Sequence, residues 1–340
     1  MGRFEMTALT ALTALAFFAA VFSAIGCKEP LYVADARLNG AAGGTDSASP
    51  SDSDLSRDTQ PSSESDDSET ASTQQCSEFV AVPGDTVRSI SVNGAARTYL
   101  LHVPDTYTAE APVPLLVDFH LIGGDGESER AASPYPEVTD SEGVIAAFPS
   151  GLSGPSGSAW NIGPCCVDGA EDVAFTRAMI ADIEGIACID AARVYAVGIS
   201  MGGGMVNLLA CEATDLFAAV APAGFDLIEE TVSDCTPSRP IAVVSFRGTD
   251  DPLVPYEGGY STVVPDHPIT FLGAQKTFAA WAEINSCSGE PSENSAGCQA
   301  YSGAQCTDGV EVVLCTAQGG GIEPGDPSVA WPILSDYRLP

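Results

Sequence analysis

Ser200 stands at the centre of Gly198-x-Ser200-x-Gly202, with the short apolar run 194–197 before it and a helix-like stretch directly after. A strand that passes to a helix through a sharp turn holds a serine hydroxyl out as a nucleophile, and the glycines let neighbouring backbones come close. Such a hydroxyl attacks an acyl carbon only when a base takes its proton. The chain has three histidines, His102, His120 and His267, so each can be weighed in turn. With 34 glycines in 340 residues, a chance GxSxG arises roughly 0.3 times, so the weight lies on the flanking strand and helix. The alternative is a purely structural turn at Gly198 and Gly202–Gly204.

The elements around this turn alternate. Apolar runs at 99–103, 115–119, 144–148, 194–197, 218–221, 241–246 and 310–314 read as strands, and 172–186, 201–213, 273–285 and 329–337 as helices. In the first helix Val173, Ile180, Ile183 and Ala187 recur at the spacing of one helical face. Strands that are apolar throughout, separated by helices, predict a mainly parallel sheet covered on both faces.

Charge and cysteines bound the rest. Thirteen basic residues against 46 acidic ones give a net charge of −33. Without clustered cations, binding to a nucleic-acid backbone is excluded as a function class. Residues 7–25 are apolar behind Arg3 and end in Ala24-Ile25-Gly26-Cys27, which resembles a lipoprotein cleavage box with Cys27 as the lipidated residue. Residues 1–26 are therefore expected to be a signal peptide; an ordinary secretory signal or an uncleaved anchor is the alternative. Residues 27–75 are expected to form a tether: 40–75 holds eight acids and one arginine with little to bury, a composition that does not fold. Removing Cys27 leaves ten of eleven cysteines, which predicts up to five disulfides in an exported chain, among them Cys211–Cys235 and two bridges within Cys287, Cys298, Cys306 and Cys315. No spacing suits a metal, and no cofactor is implied.

Several segments carry a family likeness. "AWNIGPCC" (159–166), "EDVAFTRAMIADI" (171–183), "RVYAVGISMGGG" (193–204), "LACEATDLFAAVAPAG" (209–224) and "FRGTDDPLVPYEGG" (246–259) resemble the polyhydroxybutyrate depolymerase-like esterases, relatives of the feruloyl and acetylxylan esterases. "RTYLLHVPDTY" (97–107) and "FAAWAEINSC" (278–287) extend the likeness over 76–340. The resemblance implies an α/β-hydrolase fold, stabilised by disulfides, acting on polymeric or small esters. It implies Ser200 as nucleophile and Asp251 as the acid that orients a histidine, with Asp250 the alternative. The backbone N–H groups of Met201, Leu121 and Ile122 would hold the oxyanion. Trp160 and Asn161 match a pair that lines the family's site; a buried aromatic and a satisfied amide is the other reading.

Two positions depart from the family. Its catalytic histidine follows a glycine run near the C-terminus, where this chain reads "AQGGGIEPGDP" and carries Ile322. Its oxyanion loop has His-Gly, where this chain has His120-Leu121. Loss of a catalytic histidine costs on the order of 10⁶ in rate in subtilisin. His102 falls in a strand and reads as structural; His120 lies near the oxyanion loop, but its family counterpart is not the base. His267, on the loop after Asp251, is the speculative replacement base. Glu323 is an outside candidate, because a carboxylate near its ordinary pKa of about 4.3 is a poor base for serine. Three readings follow: a lipid-anchored or secreted esterase with an atypical triad, an inactive relative that binds an ester-bearing polymer or a surface partner, or a lipoprotein spacer. A monomer is expected, meeting the membrane only through its anchor.

Overall fold

The computed structural model describes residues 76–262, 264 and 267–340. The signal peptide, Cys27 and the tether lie outside the described residues. From Cys76 the chain forms a hairpin of β1 (Gly84–Val92) and β2 (Ala95–Val103), then β3 (Val113–Phe119), α1 (Gly126–Ala132) and α2 (Pro136–Glu142). β4 (Ile145–Pro149) leads to a small ribbon of β5 (Leu152–Gly154) and β6 (Gly157–Ala159), then α3 (Asp172–Glu184). β7 (Ile189–Ile199), α4 (Met201–Glu212), β8 (Ala219–Ala223) and β9 (Ala242–Gly248) follow. A second ribbon of β10 (Gly259–Ser261) and β11 (Ile269–Phe271) precedes α5 (Ala274–Ile284), short strands β12 (Ser292–Glu293) and β13 (Gln299–Tyr301), β14 (Val312–Ala317) and α6 (Pro327–Ser335).

Ten strands make one sheet in the order β1-β2-β4-β3-β7-β8-β9-β14-β13-β12. The central six, β4 to β14, run parallel, and the antiparallel pairs are confined to the two flanks. Every residue of β8 and β9 is buried, which is why these strands read as unbroken apolar runs. Core residues divide between the two faces: Val117, Phe119, Val206 and Trp281 belong to one cluster, and Leu116, Val197, Val244 and Trp331 to the other. β1, "GDTVRSISV", is mostly exposed along the sheet edge, so its polar pattern hides it from a reading that looks for apolar strands.

All ten cysteines of this region pair. Cys211–Cys235 and two bridges within the C-terminal four, Cys287–Cys306 and Cys298–Cys315, agree with the expected pairing; Cys76–Cys188 and the adjacent Cys165–Cys166 complete the set.

Candidate active site

Ser200 lies between the last residue of β7 and the first of α4, at φ 53° and ψ −122°. A non-glycine residue in this region is strained and persists only when its surroundings hold it. Here the hold is backbone: Ser200 N–H donates to the Ala223 carbonyl at 2.8 Å. The two glycines of the motif are forced by contact. A Cβ at Gly202 would lie 1.9 Å from the Phe119 carbonyl oxygen, and one at Gly198 would lie 2.7 Å from Gly202 backbone. The half-buried Ser200 hydroxyl receives no hydrogen bond from any described residue.

The end of β3 supplies the facing loop. His120 is fully buried; its Nδ1–H donates to the Leu121 carbonyl at 2.6 Å, and its Nε2 accepts from Gly151 N–H at 2.9 Å. Those partners fix a neutral tautomer, and burial pushes the imidazole pKa below its ordinary value. Gly124 N–H adds a second bond to the Leu121 carbonyl at 3.1 Å. In a trans peptide the N–H points opposite the C=O, so this anchoring turns the Ile122 N–H away from His120. Met201, Leu121 and Ile122 N–H groups make no backbone bond among the described residues.

Trp160 is fully buried and donates its indole N–H to the His120 carbonyl at 2.9 Å. Asn161 is held on both sides: its amide donates to Ala170 O at 2.9 Å, and its backbone N–H reaches Asp172 Oδ2 at 2.7 Å. Asp172 is in turn paired with buried Arg97 at 2.6 Å. Asn161 also lines a cavity of about 650 Å³ along α4, with Gly204, Asn207, Phe225 and Asp226. Ser200 is not among its walls.

Asp251 follows β9 and is 7% exposed. Its Oδ1 accepts from Leu253 N–H at 2.8 Å and Val254 N–H at 2.9 Å, while its buried Oδ2 has no partner. The turn is locked to the loop after β14. Asp250 N–H donates to Gly320 O at 2.8 Å, and Gly319 N–H donates to the Thr249 hydroxyl at 2.8 Å. A Cβ at Gly248 would lie 2.1 Å from Gly321 O. Beside it, Arg247 pairs with Asp226 in a buried ion pair and donates to Val254 O at 2.7 Å. Burial pushes Asp226 up to about 6 against the pull of Arg247.

Ile322 occupies the ground next to the serine. Its Cγ2 lies 3.1 Å from the point where a Cβ at Gly224 would sit, and Ser200 N is 3.5 Å from the same point. His267, the speculative base, engages the Pro164 carbonyl through Nδ1 at 3.1 Å and bonds with neither Ser200 nor Asp251. His102 lies between Asp85 and Asp140 on β2, as expected of a structural residue. The candidate site thus comprises the elbow, the loop amides at 121 and 122 held by His120, and Asp251; His102 and His267 bond with neither Ser200 nor Asp251.

Sequence reasoning missed two features. One is the Arg247–Asp226 pair, whose signal was an arginine inside the otherwise apolar run "AVVSFRG" of β9. The other is His120 as anchor of the Leu121 carbonyl, for which the sequence carries no signal.

A parallel sheet, a strained serine elbow on its central strand and a buried acid after a later strand define an α/β-hydrolase. No protein-family model matches the chain. Its similarity is to esterases: it is 44% identical over 248 residues to feruloyl esterase B of Piromyces equi, covering 72% of this chain and 46% of that one. Over 175 residues it is 33% identical to feruloyl esterase C of Emericella nidulans, covering 49% of this chain and 59% of that one. The chain thus spans about half the length of the curated relatives it matches. Among solved structures, the acetyl xylan esterase from Aspergillus awamori superposes with a TM-score of 0.53 at 15% identity, covering 73% of this chain and 98% of that one. That likeness is one of fold.

Proposed function

We propose that the chain is an exported serine-type carboxylic-ester hydrolase that cleaves feruloyl-type esters, free or carried on a polymer. The observation that carries this reading is Ser200 at φ 53°, a strained conformation kept beside unengaged backbone N–H groups. In this reading Ser200 Oγ attacks the ester carbonyl, the N–H groups of Met201 and Ile122 receive the oxyanion, and Asp251 supplies the buried negative charge that steadies the base. The names of the relatives support the aryl-ester substrate. Labelling of the full chain with a fluorophosphonate probe, alongside hydrolysis of methyl ferulate, tests it. Both should vanish in Ser200→Ala; a folded wild-type chain that neither labels nor turns over ester refutes the reading.

A second reading is an inactive relative that binds an ester-bearing polymer. It is favoured by Ile322 beside the serine and the unpartnered Asp251 Oδ2, and it predicts saturable polymer binding with no labelling. Under either reading the chain is an exported lipoprotein, held at the membrane by a lipid on Cys27 and a 27–75 tether. The cleavage-box residues 24–27 and five disulfides, which suit an oxidising compartment, support this. Radiolabelled palmitate incorporation that is lost in Cys27→Ala would establish the anchor.

A further inference from the structure

We propose that the cavity along α4 is a carbohydrate subsite, which takes the neutral sugar rings of the molecule that carries the ester. The binding site stands on its own walls, and its part in choosing the substrate rests on the ester-hydrolase reading above.

The helix supplies the first observation. Gly204, Asn207, Leu208 and Cys211 all line the cavity, at spacings of three, four and seven, so one face of α4 is a wall. That wall begins one turn after the nucleophile, where Gly204 N–H donates to the Ser200 carbonyl at 3.0 Å. It ends at Cys211, which is bridged to Cys235 on the segment that follows β8 and forms the facing wall. The two walls are therefore held covalently at their far end. Seven residues of helix span about 10 Å at the ordinary rise of ~1.5 Å per residue. The volume of about 650 Å³ falls within the roughly 300–1,000 Å³ of pockets for small organic ligands.

The second observation is a donor without a partner. Asn207 is 3% exposed, and its Oδ1 accepts from the Trp281 indole N–H at 3.3 Å. An indole N–H only donates, so it fixes which end of the amide is the oxygen. The other end, Nδ2, has no acceptor among the described residues. Trp281 is not a wall of the cavity and Asn207 is, so the donor is the end left to the cavity. Buried donors are nearly always met, and this one calls for a ligand oxygen.

Charge narrows the ligand. Glu171, Glu212 and Asp234 line the cavity with exposed side chains. Arg177, the cation among the described wall residues, is taken by Asp215 through bonds of 2.5 and 2.7 Å. An anion is repelled by this lining, and a cation leaves the Asn207 donor unmet. A hydroxyl both accepts and donates, so it can serve the Asn207 amide and a carboxylate of the lining together. A neutral ring bearing several hydroxyls meets every one of these conditions. The ester is then recognised through the sugar that bears it, along α4 and away from the reacting serine.

Calorimetric titration of the full chain with xylotetraose and with cellotetraose, neutral oligosaccharides without an ester, tests the subsite apart from catalysis. Saturable binding of at least one is expected, and tetragalacturonate, which carries carboxylates, should bind roughly tenfold more weakly or worse. Asn207→Asp keeps the acceptor for Trp281 and removes the donor, and should weaken binding by roughly tenfold. Leu208→Trp adds bulk to a half-buried wall position and should abolish it, with circular dichroism confirming the fold. Absence of binding to both neutral sugars, or wild-type affinity in a folded Leu208→Trp chain, would overturn the subsite. Equal affinity for tetragalacturonate would overturn the choice of a neutral ligand. Fluorophosphonate labelling without sugar binding strikes the subsite and leaves the hydrolase reading, whereas sugar binding without labelling supports the subsite and strikes that reading.

Discussion

Gly202→Ala tests the geometry that joins the elbow to the oxyanion loop. The added methyl would sit 1.9 Å from the Phe119 carbonyl oxygen and 2.9 Å from the His120 carbonyl oxygen, both backbone atoms at the end of β3. Real Cβ contacts do not fall below 3.0 Å, so the start of α4 and the end of β3 must separate by about 1 Å, taking the 3.0 Å floor of ordinary packing. A displacement of that size in a catalytic constellation costs roughly 10²-fold, or about 2.7 kcal/mol of transition-state stabilisation. Overpacking should also destabilise the fold by about 1–3 kcal/mol, more than the ~1 kcal/mol that alanine gains over glycine inside a helix. Melting temperature and the fluorophosphonate labelling rate read both effects. Gly321→Ala is the control for stability, since a Cβ there meets nothing within 4 Å. A Gly202→Ala chain that melts and labels like the wild type would refute the argument that the Phe119 carbonyl demands glycine.

Other consequences are as direct. Removing Cys76–Cys188 by a double alanine substitution frees a loop of 112 residues, which by chain entropy costs about 4.8 kcal/mol; removing Cys298–Cys315, 17 residues apart, costs about 3.1 kcal/mol. Denaturant titrations that reverse this order would show that native contacts outweigh loop closure. Asp226→Ala leaves Arg247 buried without its counter-ion and should destabilise by about 3–5 kcal/mol, against under 1 kcal/mol for exposed Asp215→Ala; equal shifts would contradict the burial argument. Asp118 on β3 and Glu129 on α1 are buried carboxyls whose folded pKa values are raised by desolvation, Glu129 also by the charge of Asp118. The fold therefore retains protons that the unfolded chain releases. Their contribution is complete below the ordinary carboxylate range and is lost as pH rises through the raised values. Glu129→Gln should flatten that decline and raise the melting temperature at pH 8; an unchanged slope would refute the shift.

The sequence disclosed the central strands because they are buried on both faces and carry unbroken apolar runs. It also disclosed the elbow, because few arrangements need glycine at both Gly198 and Gly202. β1 escaped notice because an exposed edge strand has no apolar signature. Helices α1 and α2, seven residues each, are too short to show periodicity; their marks are the Asp125–Ser128 capping box on α1 and Pro136 and Gly143 at the two ends of α2. At the site, the family resemblance pointed to Asp251 but said nothing of its second oxygen, because burial and missing donors are properties of packing. Glu323 was discounted on its solution pKa, and what raises that value is burial first and, second, the charge of Asp251, 72 positions earlier in the chain. The contact of His120 with the Leu121 carbonyl was likewise invisible, because a strand-end histidine looks the same whether it binds substrate or its own loop.

The bridge from Cys76 to Cys188 has a directional consequence. Cys188 comes just before β7 and Ser200 just after it, so the length of the strand separates them. Val80 and Ala81 N–H groups tie the same entry segment to Ile186 O. The folded domain thus has its first disulfide at one end of β7 and Ser200 at the other. A group attached near Cys76 would therefore sit at the end of β7 opposite Ser200.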